Sequence, residues 1–188
     1  IVGTQIGKCE IMSFYGIPDD RLAILPWPVQ FNKKTQVSSG INLNHKLPNK
    51  YVLYPAQMWP HKNHVGLLNT IRNINDNDGI NINVVFTGSD RGNLNYIKNI
   101  TKELGLANQV IFLGFVSESE LIYLYSNASM LIYPSLFGPD NLPPLEAFAL
   151  GCPAIVHDCK GHREQYGDSA YYVDTTNDYV TIGEYGYY

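Results

Sequence analysis

Between residues 51 and 174, apolar runs of four or five residues alternate with longer stretches whose apolar positions recur three and four apart. Runs of that length suit strands buried on both faces, and the longer stretches suit amphipathic helices. The alternation therefore predicts a parallel sheet with crossover helices. Tyr51-Val52-Leu53-Tyr54 reads as the first strand, followed by a helix from about Lys62 to Asn75 in which Leu67, Leu68, Ile71 and Ile74 share a face. Ile82 to Phe86 reads as the second strand. The helix after it runs through Ile97, Ile100 and Leu104 and meets Gly105, a residue suited to a left-handed cap. Val110 to Leu113 is the third strand. Ser117 and Glu120 then have capping-box spacing and open a helix that turns Leu121, Leu124, Tyr125 and Ala128 inward. Met130 to Tyr133 is a strand, Pro143 to Leu150 a short helix closed by Gly151, and Ala154–Val156 and Ala170–Val173 two further strands. This series predicts an α/β fold, a Rossmann-like doubly wound parallel sheet that binds its ligand outside the carboxyl ends of its strands.

The two ends follow a different pattern. Residues 1–28 read as a strand, an amphipathic helix and a second strand, Leu22 to Leu25, the tail of a preceding N-terminal domain. Residues 29–49 are polar and read as a linker, and 50–188 as the ligand-binding domain, cut short because no closing helix is evident after Asp174. A start at Ile1 without Met suggests an excerpt from a longer chain.

Composition narrows the function classes. With 45% hydrophobic residues the chain is too apolar to be disordered. A formal net charge of −4 and the lack of any basic block argue against nucleic acid as a partner. No apolar run approaches the roughly 20 residues that span a bilayer. Three cysteines without Cys-x-x-Cys spacing predict reduced thiols in a cytoplasmic protein and no metal site. The sequons at Asn99 and Asn127 lie in or beside predicted helices and read as chance matches.

Three segments point to chemistry. Pro60-His61-Lys62-Asn63-His64 follows the first strand and opens a helix, so Lys62 is placed where helix-opening amides add positive potential; a solvated helix-start lysine is the plain alternative. Phe86-Thr87-Gly88-Ser89-Asp90-Arg91-Gly92 is a glycine-flanked loop at a strand end, open either to a ligand or to an ordinary turn. Pro134 to Ala147 is a Gly- and Pro-rich loop that delivers the chain into a helix. Amides at Asn141 and Leu142 suit a diphosphate, and Glu146 suits a ribose diol, unless it serves only the helix dipole.

Together these segments resemble retaining glycosyltransferases of the GT-B architecture, family 4 type (glycosyl transferases group 1). The resemblance runs from about Gly3 to Asp174 and includes Tyr54-Pro55-Ala56-Gln57, Pro60 to His64, Gly114-Phe115-Val116-Ser117, Leu142 to Ala147, Gly151-Cys152-Pro153 and Gly161 to Glu164. It implies one half of a GT-B fold, the donor-binding half of a two-domain enzyme, which by itself binds donor but turns over poorly or not at all. Lys62 matches the lysine that neutralises the donor diphosphate. Glu146 matches the second glutamate of an E-x7-E motif that holds the ribose; these two are the implied catalytic residues. Ser89 and Asp90 border the donor, Val116 meets the base, and Asn141 and Leu142 cradle the diphosphate. The implied reaction is retaining hexosyl transfer (EC 2.4 type) from a UDP- or GDP-linked sugar to a glycan, lipid or small-molecule hydroxyl. No cofactor and no metal are implied, and any peripheral membrane association belongs to the N-terminal domain. Two positions depart from the pattern. Gly138 stands where the first motif glutamate belongs, and Gln57 stands where an Arg is common. They favour the alternative of an inactive nucleotide-sugar-binding module; a nucleotide-sugar epimerase is a third reading.

Overall fold

The computed structural model describes residues 1–31, 46–138 and 141–175 of the 188-residue chain. Most of the expected linker and everything after Thr175 lie outside the described residues. Six strands, β1 (Val52–Pro55), β2 (Val84–Thr87), β3 (Val110–Gly114), β4 (Met130–Tyr133), β5 (Ala154–His157) and β6 (Tyr171–Val173), form one sheet in the order β3-β2-β1-β4-β5-β6. Every pairing is parallel. The chain order reverses direction between β1 and β4, and this switch point is the feature of a doubly wound sheet that positions a ligand.

The helices are α1 (Gln5–Tyr15), α2 (His64–Asp78), α3 (Leu94–Glu103), α4 (Glu118–Asn127), α5 (Pro143–Leu150) and α6 (Lys160–Tyr166). Right-handed crossovers place α2 and α3 on one face and α4, α5 and α6 on the other. Accordingly α2 packs on α3, and α4 on α5. The core lies between these layers. Leu53, Tyr54, Val84, Val85, Phe86, Leu131 and Val156 from the sheet meet Leu67, Leu68, Ile71, Ile97 and Leu124 from the helices, all buried. Each such side chain contributes about 2 kcal/mol by leaving water.

Local signals act as the residues suggest. Gly105 takes φ 70, its amide bonding to Lys102 O and that of Leu106 to Thr101 O, which closes α3 in a left-handed cap. At α4 the Ser117 side chain accepts from Glu120 N, and the Glu120 carboxylate accepts from Ser117 N at 2.7 Å. Ser117→Ala is expected to cost about 1 kcal/mol, measurable as a lower urea midpoint with an unchanged slope.

Three differences have physical causes. The helix expected from Lys62 begins at His64, because Pro60–Lys62 forms a 3-10 turn and Asn63, at φ 55, caps α2 through its side chain. The two N-terminal strands reduce to a single parallel bridge, Val2 to Ile24, with no further pairing among the described residues. α6 has no apolar period; its buried positions are Gly161, His162 and Tyr166, so its inward face is held by polar side chains and a ring. That face also reaches the N-terminal segment: α1 packs on α6, and the Glu164 carboxylate accepts from the amides of Gln5 and Ile6.

Candidate functional site

The carboxyl ends of β1, β2 and β4 converge at the switch point. After β1 the chain runs beside the end of β2, with Ala56 N donating to Thr87 O (2.9 Å) and Met58 N to Ser89 O (3.1 Å). The approach is so close at Gly88, φ 137, that a Cβ there would stand 2.3 Å from Ala56 O. Only glycine fits that conformation and that gap.

The 3-10 turn then carries Lys62 into the centre. Its half-buried ammonium donates to Tyr133 Oη (3.0 Å), Ser135 Oγ (3.2 Å) and Asn141 Oδ1 (3.0 Å). None of these partners is a carboxylate, so the positive charge is held in place yet not neutralised by them. Burial pulls the lysine down to about 8.

Asn141 is the hub of this cluster and is buried, at 3% exposure. Its Oδ1 also accepts from Tyr133 Oη (2.8 Å). Its Nδ2 faces Gly138 O (2.7 Å) and His162 Nε2 (3.0 Å). The main chain is engaged as well: Asn141 N, expected to face a ligand, donates to Gln165 Oε1 (3.1 Å), and Asn141 O accepts from Tyr166 Oη (2.7 Å). Gly138 takes φ 132, and a Cβ there would lie 2.9 Å from the Asn141 amide. A side chain at 138 and this placement of Asn141 therefore exclude each other.

Leu142 stands at the N-cap of α5, and Glu146 lies in its first turn. Glu146 Oε2 accepts from Tyr125 Oη (2.7 Å), a hydroxyl that also reaches Pro143 O (3.2 Å). Burial raises the carboxyl above its ordinary value, and the tyrosine hydrogen bond opposes that rise. In Tyr125→Phe the opposition is lost, so the Glu146 carboxyl is expected to titrate at higher pH. Any binding that needs the carboxylate then fails at a higher pH as acid is added, which a pH series of calorimetric titrations would read.

Ser89 and Val116 face a shared cavity of about 220 Å³, together with Gln57, Gly88 and Phe115. Phe115 is 83% exposed at its rim. Asp90 is not among the residues lining that cavity; its Oδ1 accepts from the amides of Gly92 (2.8 Å) and Leu94 (3.2 Å), and these bonds lower its pKa. Gln57 Oε1 accepts from Trp59 Nε1 and Arg91 Nε, both at 3.0 Å. A larger, apolar cavity of about 320 Å³ lies at the opposite edge, between α2 and the amino ends of β1 and β4, and none of the residues above lines it. The two histidines of the 60–64 segment separate. His64 is buried against Tyr54 and Phe86 and driven down to about 4, whereas His61 neighbours Trp59 and Phe137. Among the described residues no group of three or more His, Cys, Asp or Glu converges as a metal site, and no helix is long and apolar enough to cross a membrane.

Lys62 and Asn141 thus meet directly, while Leu142 and Glu146 open the helix that follows. Ser89 and Val116 line the neighbouring cavity, and Asp90 serves its own loop. The roles of Tyr125, Tyr133 and Gln165 emerge only from the fold, as do those of Phe115 and His162, which lie in the segments that carry the resemblance but to which the sequence assigns no role. Tyr125 and Tyr133 read in sequence as core aromatics, and no local period reveals where their hydroxyls go.

Comparison with known proteins agrees with this architecture. Residues 41–180 match the family Glycosyl transferases group 1. The O-antigen chain mannosyltransferase RfbU of Salmonella typhimurium is 29% identical, over 89% of this chain and 44% of its own. An uncharacterised glycosyltransferase of Methanocaldococcus jannaschii is 25% identical, over 84% of this chain and 41% of its own. The fold superposes on sucrose-phosphate synthase of Thermosynechococcus elongatus with a TM-score of 0.77 at 19% identity, covering 96% of this chain and 46% of that one. The chain therefore spans less than half the length of these relatives.

Proposed function

The chain belongs to the glycosyl transferases group 1 family, and from that premise we propose that it is the donor-binding part of a retaining glycosyltransferase using a UDP- or GDP-linked sugar. The observation that carries the reading is the Lys62 ammonium, fixed at the switch point by three uncharged acceptors. In transfer to an acceptor hydroxyl, the sugar gains oxocarbenium character and negative charge builds on the leaving diphosphate. A pre-positioned cation stabilises that charge more in the transition state than in the ground state. Lys62 supplies it without a metal, Glu146 takes the ribose diol, and the cavity beside Ser89, Phe115 and Val116 takes the base. The mannosyltransferase among the relatives supports a hexosyl donor. Acceptor groups belong to the rest of the longer protein.

Titration of the chain with UDP, GDP and ADP tests this reading: selective binding of one nucleotide supports it and names the donor class, and binding of none overturns it. The pH dependence carries its own sign. Lys62 must be protonated to meet the diphosphate, so its contribution to affinity is full below about pH 8 and falls as the pH rises through that value. The ligand-free chain follows the opposite trend. Between about 8 in the folded state and 10.5 in the unfolded state, the unfolded chain binds more protons, so the contribution of Lys62 to stability improves as pH rises.

Gly138 favours a second reading, a nucleotide-sugar-binding module without turnover, because it lacks the carboxylate expected at that position, and an added Cβ would crowd the Asn141 side chain as it is placed. Acceptor assays on the full-length protein separate the two.

A further inference from the structure

The structure assigns His162 as a positioning residue: through the side-chain amide of Asn141, its imidazole keeps the Lys62 ammonium in its place at the switch point. This deepens the donor-site reading and rests on it for its consequence in binding. An asparagine amide has one accepting and one donating end. Here the accepting end is committed to Lys62 Nζ (3.0 Å) and Tyr133 Oη (2.8 Å), and the donating end to Gly138 O (2.7 Å). The remaining neighbour of that donating end is His162 Nε2, at 3.0 Å, which must therefore accept. Its other nitrogen, Nδ1, lies 2.7 Å from His157 O, and a carbonyl can only accept. The two contacts together assign the neutral Nδ1–H tautomer, with Nε2 bare. His162 is 1% exposed, so neither nitrogen can exchange its partner for water.

Protonation reverses the arrangement. Nε2–H then points at Asn141 Nδ2, donor against donor. Turning the amide to relieve this removes Oδ1 from Lys62 and Tyr133 and sets Nδ2 against them. The titratable and charged groups around the imidazole are Lys62, Tyr133 on β4, His157 at the end of β5, Asp158 in the loop after it, Arg163 and Tyr166 on its own helix, and Tyr172 on β6, whose hydroxyl meets His162 O at 3.4 Å. Burial, with Lys62 and His157 beside it, holds His162 below its ordinary value, so the neutral tautomer persists at neutral pH. The lysine's position is thereby tied to the charge of a histidine it does not touch.

Nitrogen-15 NMR of the labelled full chain tests this without any ligand. At pH 7.5 His162 should show a bare Nε2 and a protonated Nδ1; the reverse tautomer overturns the proposal. The Lys62 ammonium resonance should be sharp at that pH and broaden as His162 titrates. In His162→Leu it should be broad throughout. In His162→Gln, whose Oε1 can accept from Asn141, it should stay sharp on acidification. Unchanged behaviour in His162→Leu, or equal broadening in both variants, reduces His162 to packing and overturns the assignment. Nucleotide sugars add the functional arm, since their diphosphate does not titrate in this range. GDP-mannose or UDP-glucose should bind His162→Leu about tenfold more weakly, the scale of one charge-assisted hydrogen bond, and His162→Gln within about twofold of the parent. Equal losses in the two variants also overturn the assignment. Failure of the parent chain to bind either sugar overturns the donor reading instead, and the ammonium resonance still decides the role of His162.

Discussion

Lys62→Met is expected to weaken binding of a nucleotide sugar by about a hundredfold, roughly 3 kcal/mol, the upper end for one hydrogen bond to a charged group. Methionine keeps the aliphatic stem, so the packing of the 3-10 turn survives while the ammonium is lost. The same substitution should leave the unfolding midpoint unchanged or raise it, because a half-buried charge held only by neutral acceptors is costly to keep charged. Loss of affinity with retained or improved stability is the signature of a binding residue. Calorimetric titration and urea unfolding on one sample check both halves. A stable variant that binds as tightly as the parent would show that Lys62 does not meet the donor.

Gly88→Ala is expected to cost about 3 kcal/mol or more of stability, from a backbone collision combined with a conformation that L side chains rarely adopt. The obstructing atom is Ala56 O, part of the hydrogen-bonded run that joins the ends of β1 and β2, so it cannot rotate aside as a side chain would. Gly92 provides the control. It also has a positive φ, 88, but an added Cβ meets nothing within 4 Å, and Gly92→Ala should cost only about 1 kcal/mol. Urea midpoints of the two variants, measured side by side, separate collision from backbone preference. Equal losses would show that Ala56 gives way.

The β-α series from 51 to 174 was legible because buried strands and amphipathic helices each leave a period, and Ser117–Glu120, Gly105 and Gly151 punctuate it by local chemistry. α6 was not legible, because its inward side chains are chosen for hydrogen bonding. His162 meets Asn141, Gln165 meets its amide and Tyr166 its carbonyl, and none of these leaves an apolar pattern. The site divides in the same way. Lys62, Asn141 and Glu146 stand in a recognisable loop-to-helix frame, and the residue types alone announce charge and anion binding. What each of them touches depends on partners far along the chain. Tyr125 and Tyr133 gave no signal beyond hydrophobicity, and Asn141, expected to offer its amide outward, spends it on Gln165. Gly138 carried information of the opposite kind: a missing side chain reads in sequence as a lost function, while in three dimensions it is the space that Asn141 requires.

The partners of Lys62 lie 71, 73 and 79 residues beyond it, across the β1–β4 pairing. Closing loops of that length costs more chain entropy than the neighbouring β1–β2 contact, so local β-α units can assemble while the lysine still has none of its acceptors. The Lys62 cluster, and with it the proposed anion site, is thus a property of the completed fold and absent from its partly folded forms. A ligand that recognises it binds only molecules that have finished folding, and its occupancy draws late intermediates toward the native state by mass action.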